Sequence, residues 1–426
     1  MKECDFVVQK NTIQFPKLLS VGNISNGFVA WLFGSAGPLL IVLQAAAKGH
    51  LSGSITSSWI FAIYGTGGLL TLIVSLYYGQ PIGYAFSIPG AILVGSSLTH
   101  YSFNQVVGAY IITGILIFLL GLSGLVTKWM KVLPMPVMMG MVSGVLLPFG
   151  TEMIGSVVKN PLLNGIPLLV FLALSFFLRF SKKFPPILGA IIAAILCLKF
   201  LPNVSVQPLH ITMGIPHFII PSFSFSVVGE LVIPLLLTVI AIQNAQGIAM
   251  LETHGYRPPI NAMTNWSGIG TIINAFLGGH PACIAGPMTG LLVNKESGKL
   301  EHRYVAAIVL GVLSCLLALF SPIASQIPHV IPASLIQLLG GVAMISVLVD
   351  SLKMSFSGPF KSGALFSFII TISGISILHI GAPFWGLVGG TLATVFLDKQ
   401  DFYKSESSDQ NNETNLSEAL CKDKIS

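Results

Sequence analysis

The chain has 426 residues, 53% of them hydrophobic and only 8% charged, with a mean hydropathy of +0.84. A soluble domain needs roughly 25% charged residues to cover its surface, so the composition excludes a water-soluble globule and points to a polytopic membrane protein. The net charge of +6 raises the question of a nucleic-acid partner, and the placement of the charges answers it in the negative.

The N-terminal stretch to Lys17 is polar and mildly basic, without a short apolar run and cleavage site, so the first span is expected to act as its own insertion signal. Apolar stretches of about 17 to 25 residues suffice to cross a bilayer. They fall at 24–47, 57–77, 81–98, 106–126, 135–154, 162–180 and 186–201, then at 227–251, 263–278, 281–293, 305–325, 333–349, 363–378 and 384–397. This predicts an all-α integral membrane protein of 14 transmembrane segments. Its divisions are a cytoplasmic N-terminus (1–23), a first seven-span repeat (24–204), an outer linker (205–226), an inverted second repeat (227–399) and a disordered cytoplasmic tail (400–426). With the N-terminus inside, 18 of the 21 basic residues fall in inner segments, including Lys128, Lys131, Arg179, Lys182, Lys183, Arg257, Lys295, Lys299 and Arg303. Positive charge collects in short cytoplasmic loops, so the excess reads as topology, with both termini cytoplasmic.

The halves carry matching anchors. Pro38 matches Pro234, Ser87 matches Cys283, Pro136 and Gly144 match Pro332 and Gly340, all at an offset of 196, and Pro186 matches Pro383 at 197. An odd number of spans per half inverts the second copy, a recurring transporter architecture with its site where two broken helices meet. The third and tenth spans are broken: Phe86, Ser87, Ile88, Pro89 and Gly90 in one; His280, Pro281, Ala282, Cys283, Ile284, Gly286 and Pro287 in the other. Proline removes a donor and clashes with the preceding turn, and irregular backbone in a membrane survives only inside protein or along a cavity. The half-helix N-termini after Ser87 and Cys283 would present free N–H groups to an anion.

The eighth span places three amides, Gln243, Asn244 and Gln246, within about one turn. Amides both donate and accept and suit a carboxylate or amide headgroup, although they also serve as packing glue between helices. His280 could donate to an anion or relay a proton. Ser35, in a stretch loosened by Gly34 and Gly37, and Gln44 are weaker site candidates, for each of which packing is the safer reading. Glu152, Glu230 and Asp350 abut span ends; Glu230 and Glu152, with His280, are the proton-coupling candidates. Five scattered cysteines show no metal-ligand spacing, no phosphate-binding loop or catalytic constellation occurs, and neither a cofactor nor an enzymatic activity is expected.

Several elements resemble one family: Gly27-Phe28-Val29-Ala30 with Gln44-Ala45-Ala46, Ser87-Ile88-Pro89-Gly90-Ala91, Gln243-Asn244 with Gly247, Gly255-Tyr256-Arg257-Pro258-Pro259, and Gly279-His280. Together they look like the bacterial benzoate/proton symporter (BenE-type) family, over nearly the whole chain to Leu397. Gln246 stands where that pattern leads one to expect proline, and Cys283 where it leads one to expect a more polar residue. The resemblance implies the seven-plus-seven inverted repeat of nucleobase symporters and sulfate permeases. It also implies a core domain (spans 1 to 4 and 8 to 11) moving against a gate domain (spans 5 to 7 and 12 to 14), often as a dimer. Nucleobase relatives typically carry carboxylates in spans 8 and 10. Amides in span 8, and no carboxylate in span 10, favour an anionic aromatic carboxylate, which buried anions would repel. The expected activity is proton-coupled import of benzoate or a similar small carboxylate. A nucleobase or inorganic-anion transporter and a passive anion channel are the alternatives.

Overall fold

The computed structural model describes residues 18–126, 134–177, 186–200, 212–330, 332–375, 377, 382–399 and 401. The N-terminal stretch to Lys17, the basic clusters at Lys128 and Lys131 and at Arg179, Lys182 and Lys183, and the tail beyond residue 401 lie outside the described residues. The first half runs α1 (Val21–Ala36), α2 (Pro38–Lys48), α3 (Gly53–Tyr78), β1 (Tyr84–Phe86), α4 (Ile88–Ser97), α5 (Phe103–Ser123), α6 (Met135–Lys159), α7 (Pro161–Phe177) and α8 (Pro186–Phe200). The second runs α9 (Phe225–Thr253), α10 (Ile260–Phe276), β2 (Ala282–Ile284), α11 (Gly286–Leu292), α12 (Tyr304–Leu319), α13 (Ser321–Val330), α14 (Ala333–Phe356), α15 (Lys361–Ile372) and α16 (Ala382–Leu397). Among the described residues, 6 helical stretches are long and apolar enough to cross a membrane: α1 with α2, α3, α5, α6, α9, and Leu300–Leu319 containing α12.

Proline sets the breaks. Pro38 has no N–H to offer the carbonyl of Gly34, and the freed carbonyl accepts the hydroxyl of Tyr64 at 3.2 Å, so the bend between α1 and α2 leaves no bare backbone group there. In α9, Pro234 cannot bond the carbonyl of Glu230, and π-turns occupy Val228–Val232 and Thr238–Asn244. The expected eleventh span to residue 325 is split instead: α12 ends at Leu319, and Pro322 opens α13 in a first turn where its missing donor costs nothing. The Leu319 carbonyl accepts the N–H of Gly214 from the linker at 2.7 Å.

The two broken segments each begin as a strand, which apolar patterning did not predict. β1 and β2 pair antiparallel, Tyr84 opposite Ile284, Ala85 opposite Cys283 and Phe86 opposite Ala282. Two strands alone leave outer edges unpaired, and in this apolar interior side chains fill them. Thr71 of α3 accepts the N–H of Tyr84 at 2.9 Å and donates to its carbonyl at 3.2 Å. Thr271 of α10 does the same for Ala282, at 3.1 and 3.5 Å.

The strands also shift the expected correspondence between the two broken segments. Helix α11 begins after Ala285, not after Cys283, with Pro287 at the place Pro89 takes in α4. Ser87 and Ala285 therefore correspond at 198 positions, as do Pro134 and Pro332 at the starts of α6 and α14. This register maps Ala85 onto Cys283, the central pair of the ladder. Around the strands, α5 packs on α10, α3 and α1 on α12, and α2 on α4; separately α6 packs on α14 and α15, and α15 on α16.

Candidate functional site

Where the bend between α1 and α2 faces the strand pair and α9, a cavity of about 70 Å³ is lined by Phe33, Gly34, Pro38, Ala85, Phe86, Ile88, Gln243, Gln246, Ala285, Pro287 and Met288. Both half-helices start at its wall, α4 with Ile88 and α11 with Ala285 and Pro287. The walls are apolar and partly aromatic apart from two amides. Gln243 is only 8% exposed, and neither it nor Gln246 has a hydrogen-bond partner among the described residues.

The third amide does different work. Asn244 is fully buried; its carbonyl oxygen accepts the N–H of Ile284 at 2.9 Å, and its amide donates to Ser267 at 3.2 Å. It holds the outer edge of β2 and does not line the cavity. Gly247, one turn on, lets α9 lie against that strand, because a Cβ there would stand 2.3 Å from Ile284 Cγ2.

His280 is likewise committed to the scaffold. Its Nδ1 accepts the indole N–H of Trp59 at 2.9 Å, and its Nε2 lies 3.1 Å from the carbonyl oxygen of Ser87. Indole can only donate and a carbonyl can only accept, so the ring is the neutral tautomer with its proton on Nε2. A second proton on Nδ1 would have to expel Trp59. The expectation of a proton relay at His280 is thus opposed by its partners; the ring instead buttresses Phe86, 5.1 Å away edge to face, with Tyr64 at 5.3 Å on that side chain too.

The other expected residues divide between cavity and frame. Phe86 and Ile88 line the cavity. Ser87 caps α4, its hydroxyl oxygen accepting the N–H of Gly90 at 3.1 Å; Pro89 and Gly90 complete that first turn. Ala282, Cys283 and Ile284 are fully buried in apolar clusters and do not line it, Cys283 beside Ile117 and Val239. Ser35 donates to the carbonyl of Trp31 at 2.7 Å, and Gln44 donates to that of Ile336 on α14 at 2.9 Å; neither lines the cavity. Glu152 is half-buried on α6, and Asp350 is exposed. Glu230 is 7% exposed and accepts the hydroxyl of Ser97 at 3.0 Å.

The two half-helices differ at both ends. Ser87 caps α4, whereas Ala285 has no side chain able to cap α11. At the far end of α11, Arg303 donates to the carbonyls of Val293 at 2.7 Å and Gly298 at 3.0 Å. The Gly255-Tyr256-Arg257-Pro258-Pro259 element is a helix stop: Gly255 takes φ +87°, and the N–H groups of Gly255 and Tyr256 return to the carbonyls of Glu252 and Leu251. Burial pushes the Tyr256 hydroxyl up to about 12, against the pull of Arg303, so it stays protonated and donates to the Leu300 carbonyl at 2.6 Å. Phe33, Ala285 and Met288 join the site only through the fold, whereas Gln246 was already legible as one of the three clustered amides.

A mostly helical, apolar chain with two interrupted segments meeting at a buried cavity defines a multi-pass membrane transport protein, and comparison with known proteins agrees. The family model described as benzoate membrane transport protein (BenE) matches residues 17–396, and the chain belongs to that family. It is 30% identical over 378 residues to the benzoate membrane transport protein of Acinetobacter baylyi, covering 88% of this chain and 94% of that one. It is also 30% identical over 377 residues to the inner membrane protein YdcO of Escherichia coli, covering 87% and 95%. Among solved structures, the fold is similar to the transmembrane domain of the cyanobacterial bicarbonate transporter BicA (TM-score 0.57, 15% identity, 87% of this chain and 97% of that one). It is similar as well to SLC26A9 (TM-score 0.58, 14% identity, 88% of this chain and 64% of that one).

Proposed function

We propose that this protein is a proton-coupled symporter of benzoate or a similar small aromatic carboxylate in the cell membrane. The reading includes fourteen spans in two inverted repeats, both termini cytoplasmic, a core group moving against a gate group, and a homodimer as the working assembly. One observation carries the substrate class: the cavity joins two unpartnered amides, Gln243 and Gln246, and the starts of two half-helices to a wall of Phe33, Phe86, Pro38 and Ile88. The amides and the uncapped turn of α11 supply donors for a carboxylate, and the rings and aliphatic groups supply a dry face for an aromatic ring. No carboxylate lines this cavity to repel an anion. The bend at Gly34 and Pro38 belongs to the same wall, so movement of α1 against the strands would alter the cavity directly.

The deciding measurement is uptake of labelled benzoate into proteoliposomes with and without an inward proton gradient. Gradient-stimulated, saturable uptake is expected, with counterflow exchange that a passive channel would lack. Absence of stimulation rejects the coupling; displacement of benzoate by uracil or sulfate at comparable concentrations rejects the substrate class.

A further inference from the structure

Resting on the proton-coupled reading above, we propose that Glu230 is the group that carries the coupled proton, acting on the substrate site through helix α4. Glu230 lies in the first π-turn of α9 and is only 7% exposed. Its carboxylate accepts the hydroxyl of Ser97, the last residue of α4, at 3.0 Å, and Tyr101 in the following turn also bonds it. Among the described residues the carboxylate has no ion-pair partner.

Two features make this place fit a proton that comes and goes. First, the carboxylate sits against the C-terminal end of α4, where partial negative charge collects, so a change in its charge acts directly on that helix. The corresponding end of α11 holds a cation, Arg303, bonded to the carbonyl of Val293; at the end of α4 the Lys48 stem of α2 passes Gly95, and the group bonded to Ser97 is the carboxylate of Glu230. Second, the charged neighbours are few. Neither α4 nor α16, both packed on this turn, bears a titratable side chain; α5 contributes Tyr110, the α4–α5 turn His100 and Tyr101, and α9 itself only Glu252 at its other end.

The opposite end of α4 opens on the cavity. Ten residues separate the two ends, or about 15 Å along the axis. Two negative charges at that separation disfavour each other by about five- to tenfold in affinity at an effective dielectric near 20. Protonating Glu230 removes that penalty, and by reciprocity a bound anion strengthens proton binding by the same factor. Proton and carboxylate therefore load together, which is what symport requires.

The test is benzoate affinity of the purified wild type and of Glu230→Gln, together with gradient-driven uptake and counterflow in proteoliposomes. Glu230→Gln, a fixed neutral mimic, should bind benzoate about five- to tenfold more tightly than the wild type with its carboxylate ionised, and should keep counterflow while losing gradient stimulation. Glu152→Gln should behave as wild type. If wild type responds to the gradient and Glu230→Gln responds equally, the assignment to Glu230 is wrong while the symport reading stands. Loss of benzoate binding in both Glu230→Gln and Glu230→Asp would also overturn it, by making Glu230 a strut of the fold.

Discussion

Helix α4 begins with a capped turn and ends beside a carboxylate, whereas α11 begins with an open turn and ends under a guanidinium. Each helix follows a three-residue strand, and the two strands pair in one antiparallel ladder. The two segments are thus built alike in backbone, and the side chains at the helix ends differ. The lesson is a division of labour. Helix α11 has its charge complement locked in and its N–H groups of Gly286 and Met288 left uncapped by any side chain, which fits a fixed anion receptor. Helix α4 has the N–H of Gly90 taken by its own Ser87 cap and a carboxylate at its tail, which fits an adjustable one.

The largest effect should come from removing the lock. Arg303→Ala strips the charge and the two donated hydrogen bonds from the end of α11 and should cost about 3 kcal/mol, seen as a fall of several degrees in melting temperature in detergent. Next come the amides of α9. Gln243→Ala and Gln246→Ala should each weaken benzoate binding about tenfold with little change in melting temperature. Asn244→Ala should do the reverse: it exposes the buried N–H of Ile284 and lowers stability by about 1–3 kcal/mol, while the folded fraction keeps its affinity. A tenfold affinity loss in Asn244→Ala would return that residue to the cavity. The smallest effect is the most pointed. Ala285→Ser gives α11 the cap that α4 has; it should raise stability by about 0.5–1 kcal/mol and weaken benzoate binding about two- to fivefold, because the new hydroxyl takes a donor from the substrate.

The breaks before α4 and α11 were legible, because Pro89 and Pro287 cannot continue a helix begun earlier and the glycines nearby add no reason to try. The strands were not. Three residues are too short for an alternating pattern to emerge, and Tyr84-Ala85-Phe86 and Ala282-Cys283-Ile284 are apolar throughout because both faces are covered. The register slipped by two for a related reason: Ser87 and Cys283 look alike in size, but the homologous cap is Ala285, a residue with nothing to identify it as a cap. Polarity drew attention to Gln243, Asn244 and His280 together, and only the fold separates the free amide from the two groups already engaged. Thr71 and Thr271, which close the strand edges, read as ordinary helix residues until the strands exist.

The paired strands also bear on how the protein is made. Tyr84 leaves the ribosome 200 residues before its ladder partner Ile284, a wait of about 10–40 s at ordinary synthesis rates. Through that interval β1 has no ladder partner, so the strand pair can close only once the second half has been made.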